Sequence, residues 1–92
     1  MRQITKAQLE AVVERINRLT NSPLSSYTID SAGKYTANIG NYHLDWAYGG
    51  VKLVRMQSEG GGISDVLHAG YCSKRECYQL MHAFINGVEV SL

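Results

Sequence analysis

The sequence predicts one α+β domain: a helix, an antiparallel meander of three to four strands, and a second helix, both helices packed on one sheet face. Three observations predict it. Two segments repeat apolar residues at helical period, each opened by a capping box. The stretch between them alternates with period two. Glycine-containing pairs divide that stretch at hairpin spacing.

The first helix is expected over residues 6–20. Thr5 and Gln8 form its capping box, with Ile4 and Leu9 at the positions of a hydrophobic staple. Leu9, Val12, Val13, Ile16 and Leu19 make one apolar stripe, and Asn21-Ser22-Pro23 ends it because proline cannot continue the ladder. Glu10, Glu14, Arg15, Asn17 and Arg18 fall on the other side and read as a solvated face. The second helix is expected over residues 74–86. Ser73 and Glu76 repeat the capping box, Cys72 and Cys77 take the staple positions, and Cys77, Leu80, Met81, Phe84 and Ile85 form the stripe. Asn86-Gly87 reads as a left-handed stop, which leaves Val88–Leu92 as a tail that adds an edge strand or frays.

The meander is expected over residues 34–68. Tyr35, Ala37 and Ile39 alternate, Gly40-Asn41 is a two-residue turn signal, and Tyr42, Leu44 and Trp46 alternate again, placing all six on the core face. Trp46 is thereby expected in the core. A second turn at Gly49-Gly50 sets Val51 opposite Tyr48, Leu53 opposite Trp46 and Arg55 opposite Leu44. Residues 63–68 read as a further strand whose register the pattern leaves open. Tyr27–Ile29 reads either as a short edge strand or as the lead-in to a turn at Asp30–Gly33. The opposite sheet face, with Lys34, Thr36, Asn38, His43, Asp45, Ala47, Lys52, Val54 and Met56, suits water or a partner protein.

Composition bounds the function. Apolar residues make up 45% and charged residues 18%, which argues against disorder. Nine Lys/Arg against eight Asp/Glu leave +1, so no bulk field recruits nucleic acid or membrane. No run approaches the roughly 20 apolar residues of a membrane span. The stretch Met1 to Lys6 leads into the helix pattern without a signal-peptide segment, so the expected location is cytoplasmic.

A catalytic or metal signature is not legible. Cys77 and His82 are five apart on a helix, about 140° round its axis, so they do not converge on zinc. The staple accounts for both thiols without a catalytic role. Gly49-Gly50 and Gly60-Gly61-Gly62 precede no helix start or Lys-Ser/Thr pair that would cradle phosphate. The expectation is therefore a non-enzyme with no cofactor, no metal and no small-molecule substrate. One feature resists a purely structural reading. Lys74 and Arg75 open the second helix, where the macrodipole disfavours cations by about 0.3–1 kcal/mol each. Beside free backbone N–H groups they suit an anion, either phosphate or a partner's acidic side chains; the alternative is tolerated surface charge next to Glu76.

The order helix, strands, helix, with Ser73-Lys74-Arg75-Glu76-Cys77 at the second helix start, resembles a double-stranded RNA-binding domain. That family carries a cationic run at this place, matched here by Lys74 and Arg75 with Tyr78 at the third position. The stretch Tyr42 to Leu53, with the glycine-rich loop and the Lys74-Arg75-Glu76 helix start, resembles small orphan proteins of phages and prophages. Size and composition are similar to those of anti-CRISPR proteins. This resemblance implies a phage-encoded inhibitor, of the type I-F class, acting in the host cytoplasm. Its implied partners are subunits of a type I CRISPR surveillance complex, and its guide RNA where nucleic acid is touched. The residues expected at such an interface are Lys74, Arg75, Lys34, Lys52, His43 and Arg55.

Overall fold

The structure, a computed structural model that describes residues 3–91, has the predicted α+β order. Its elements are α1 (Lys6–Leu19), β1 (Tyr27–Ile29), β2 (Tyr35–Ala37), β3 (Tyr42–Ala47), β4 (Gly50–Met56), β5 (Ile63–Asp65) and α2 (Lys74–Ser91). Met1, Arg2 and Leu92, which belong to the expected lead-in and tail, lie outside the described residues. Among the described residues no helix is long and apolar enough to cross a membrane.

The helix starts form as their sequences dictate. Gln8 N–H donates to Thr5 Oγ1 at 3.1 Å and Thr5 N–H to Gln8 Oε1 at 2.8 Å, closing the capping box of α1. At α2, Glu76 N–H donates to Ser73 Oγ at 3.1 Å. The end of α1 is sharper than proline alone requires. Asn21 adopts a φ of 55°, while Ser22 N–H reaches Asn17 O and Asn21 N–H reaches Arg18 O, the two bonds of a Schellman motif. The expected stop at Asn86-Gly87 does not form. The helix runs on to Ser91, with Gly87 O accepting from Ser91 Oγ and Glu89 paired to Arg15 of α1 at 3.2 Å. Gly87 is only a weak stop, costing about 1 kcal/mol in a helix interior.

The strands form two sheets rather than one meander. β1 pairs antiparallel with β2, so Tyr27–Ile29 is an edge strand that leads into the turn at Asp30–Gly33. β3, β4 and β5 form the second sheet in that order. The Gly40-Asn41 hairpin is absent: Gly40 and Asn41 bond instead to Met56 and continue the line of β4's partners. Asn41, 1% exposed, is anchored by its amide to Pro23 O at 2.7 Å and to Ser26 Oγ at 3.0 Å. Those buried bonds outweigh a turn for which Gly40 alone, at φ 93°, has the required positive angle. Tyr35 and Ile39 are consequently exposed rather than in the core.

The second hairpin turns one residue earlier than expected. Its central residues are Tyr48 (φ 53°) and Gly49 (φ 72°), both positive as a type I′ turn needs. Trp46 therefore faces Val51, Leu44 faces Leu53 and Tyr42 faces Arg55. This displaces the expected pairing by two residues, which preserves the faces because side chains alternate with period two. Both helices cover the face that carries Tyr42, Val51 and Leu53, together with Leu9, Val12, Val13, Ile16, Cys77, Met81 and Ile85. Trp46 lies at the rim of that core, 40% exposed, and not within it. On the other face Val54 and Met56 are fully buried, so that face is not the open surface the alternation suggests.

Candidate functional site

The register of the β3–β4 hairpin decides which main-chain groups of β3 are available. Val51 N–H donates to Cys72 O at 2.9 Å and Val51 O accepts from Cys72 N–H at 3.0 Å, so Val51 faces away from β3. Its partner Trp46 must turn its own N–H and C=O off the opposite edge. Leu53 O accepts from Val66 N–H at 3.1 Å, which orients Leu44 likewise. Tyr42 is the third outward residue, and it is closed by a single side chain. Asn17 Nδ2 donates to Tyr42 O at 2.9 Å and Asn17 Oδ1 accepts from Tyr42 N–H at 2.8 Å. Asn17 is 2% exposed, so the expectation of a solvated residue is overturned. Its signal lay in the sequence: Asn17 stands four residues after Val13 and continues the apolar stripe with an amide.

Beyond Asn17 a groove of about 520 Å³ opens between α1 and the edge of β3. Val13, Leu44 and Leu24 supply apolar lining, and Lys6, Glu10 and Trp46 frame its mouth. Lys6 Nζ sits 5.9 Å from the Trp46 ring centre, a cation over an aromatic face. Glu14 is engaged with Arg18 at 2.7 Å, whereas the Glu10 carboxylate has no cationic partner among the described residues. His43, which also borders the groove, shares a hydrogen bond of 3.1 Å with Asn41 Oδ1. Burial lowers its pKa below the ordinary value, and the Asp45 charge opposes that in part.

The far face of the same hairpin carries an aromatic cluster. Tyr71 O–H donates to Asp45 Oδ2 at 2.5 Å, which with partial desolvation pushes the phenol up to about 12. Lys52 Nζ lies 4.5 Å from the Tyr71 ring centre, and Tyr48 meets that ring edge-on at 5.4 Å. Tyr48 is itself 93% exposed and occupies left-handed backbone space, which disfavours a tyrosine by roughly 1–2 kcal/mol.

The residues expected at an interface do not share one surface. Lys74 and Arg75 are exposed at the start of α2, and Lys34 lies in the turn of the β1–β2 hairpin. Lys52 and His43 alternate onto the sheet face away from the helices, with His43 at the groove's border. Arg55 lies opposite Tyr42 rather than the expected Leu44. Its guanidinium covers the Tyr42 ring at 4.9 Å and Nε donates to Gly40 O at 3.2 Å. The cysteines are free thiols. Burial raises both, Cys77 to about 12.

No family model, curated protein or solved structure was found to match the chain.

Proposed function

We propose that this chain is a non-catalytic binding protein that acts by occupying a surface of a partner protein. The observation that carries this reading is the tip of the β3–β4 hairpin. There Tyr48 is held almost wholly in water on an unfavourable backbone, and a half-exposed Trp46 on the other face of the same hairpin lines a groove. Large rigid aromatics so presented are the usual anchors of protein interfaces. The partner we assign is a subunit of a host type I CRISPR surveillance complex, met in the host cytoplasm. That assignment rests on the likeness of Tyr42–Leu53 and of the Lys74-Arg75-Glu76 helix start to small orphan proteins of phages and prophages, and on a size and composition similar to those of anti-CRISPR proteins. In this reading Lys74 and Arg75 add contacts to guide-RNA phosphate or to acidic side chains at the rim.

The test is co-purification with a type I-F surveillance complex and inhibition of its DNA binding. Wild type is expected to bind and inhibit. Tyr48→Gly relieves the backbone and is expected to keep or raise stability, yet to weaken binding about tenfold or more, as loss of an aromatic anchor does. Lys74→Glu with Arg75→Glu is expected to weaken it about fivefold per charge in contact, mainly through association rate. A wild type that neither binds nor inhibits overturns the partner. Binding of bare duplex RNA at physiological salt, lost in the double variant, assigns the chain instead to nucleic-acid-binding modules.

A further inference from the structure

The open stretch of β3 has the features of a strand-acceptor site. Leu44 and Trp46 each direct an N–H and a C=O off the sheet edge, and among the described residues none of these four groups has a partner. The two residues lie about 7 Å apart along the strand, the interval at which alternate residues of an extended segment present their own main chain. α1 forms a wall across the groove, with Glu10 facing into it. We propose that β3 receives an extended segment of a partner protein as an added strand. That segment bonds to the main chain of Leu44 and Trp46 and sets a lysine or arginine against Glu10. This deepens the reading of the groove as a protein-binding site and rests on it.

Charge decides the occupant. Lys6 is engaged over Trp46 and Glu14 with Arg18, so Glu10 is the carboxylate of this wall left for an incoming cation. A second copy of β3, Tyr-His-Leu-Asp-Trp-Ala, contains no lysine or arginine to meet it. Strand addition draws affinity from the main chain and specificity from the pockets that alternate side chains enter. Here those pockets are the Glu10 wall and the apolar lining at Leu44 and Leu24.

The probe is a displayed library of random dodecapeptides panned against the full chain, followed by titration of the enriched peptides. Expected winners alternate apolar and polar residues and carry a lysine or arginine, and Glu10→Lys is expected to weaken them at least tenfold. Trp46→Ala keeps the edge N–H and Trp46→Pro removes it, at an edge position where proline is tolerated. The proline variant is expected to bind at least tenfold more weakly than the alanine variant. Should it fail to fold, amide exchange of wild type decides: saturating peptide is expected to slow Leu44 and Trp46 at least tenfold. No enrichment, equal binding by the two Trp46 variants, or unchanged exchange at both amides overturns the proposal. So does wild-type self-association that Trp46→Pro abolishes, because the occupant is then a second copy. None of these measurements uses the surveillance complex, so strand addition and the assigned partner fail separately.

Discussion

Along the outer edge of β4, Val51 exchanges two main-chain bonds with Cys72, Leu53 receives Val66, and β5 pairs with Val54 to Met56. Along the outer edge of β3, Asn17 closes Tyr42 and the next two outward residues are left open. The two strands belong to one hairpin and share one register, so propensity does not separate them. What separates them is the chain that follows. The segment from residue 57 to residue 72 returns beside β4, whereas α1 bonds to the β3 main chain through the Asn17 amide and leaves a groove beside Leu44 and Trp46. An edge becomes available for binding when its covering element satisfies the edge's main chain at one end only.

The comparison breaks most severely if the shared core does not hold the hairpin. Leu53, fully buried under both helices, is the place to strike. Leu53→Ala is expected to cost about 2–5 kcal/mol, read as a lower denaturant midpoint. An unchanged midpoint would show that the helices do not seal this face. Trp46→Ala, at the rim with 40% exposure, is expected to cost less than the roughly 3–5 kcal/mol of a fully buried aromatic.

The next effect sharpens the contrast between the closed and open parts of β3. Asn17→Ala leaves the Tyr42 N–H and C=O buried without their partner and is expected to cost about 1–3 kcal/mol for each group left dry. Amide exchange of the variant is expected to quicken at Tyr42 toward the rate at Leu44, with Val51 still protected by Cys72. Equal exchange at Leu44 and Val51 in the wild type would remove the difference between the edges.

The smallest effect concerns the face opposite the helices. Tyr71 is expected to ionise near 12, and Asp45→Asn is expected to bring it down toward 10. The folded pKa lies above the unfolded one, so this contribution to stability is complete below pH 10 and is lost as pH rises towards 12. His43 works in the opposite direction. Its lowered pKa contributes stability that is present above 6.5 and lost as pH falls through the folded value. Tyrosinate absorbance and histidine proton shifts follow each group separately.

Fold class, both helix starts and the face assignment of β3 and β4 were legible from the residues alone. Each depends on interactions within about four residues or on strict alternation, and these the chain order sets directly. The site was legible only in part. His43 and Lys52 were named on the sheet face, but Asn17 was placed in water and Trp46 in the core. A polar residue on an apolar stripe reads as solvated until the acceptor it meets is known, and Tyr42 lies 25 residues away. Likewise Gly40-Asn41 and Asn86-Gly87 carry turn and stop signals of only about 1 kcal/mol, and at Gly40-Asn41 the tertiary bonds to Pro23 and Ser26 override that signal. The sequence by itself therefore determined the elements and their faces. Tertiary structure alone decided the register of β3 against β4, the split into two sheets and which edge of the hairpin stays open, because these rest on long-range hydrogen bonds that no local pattern encodes.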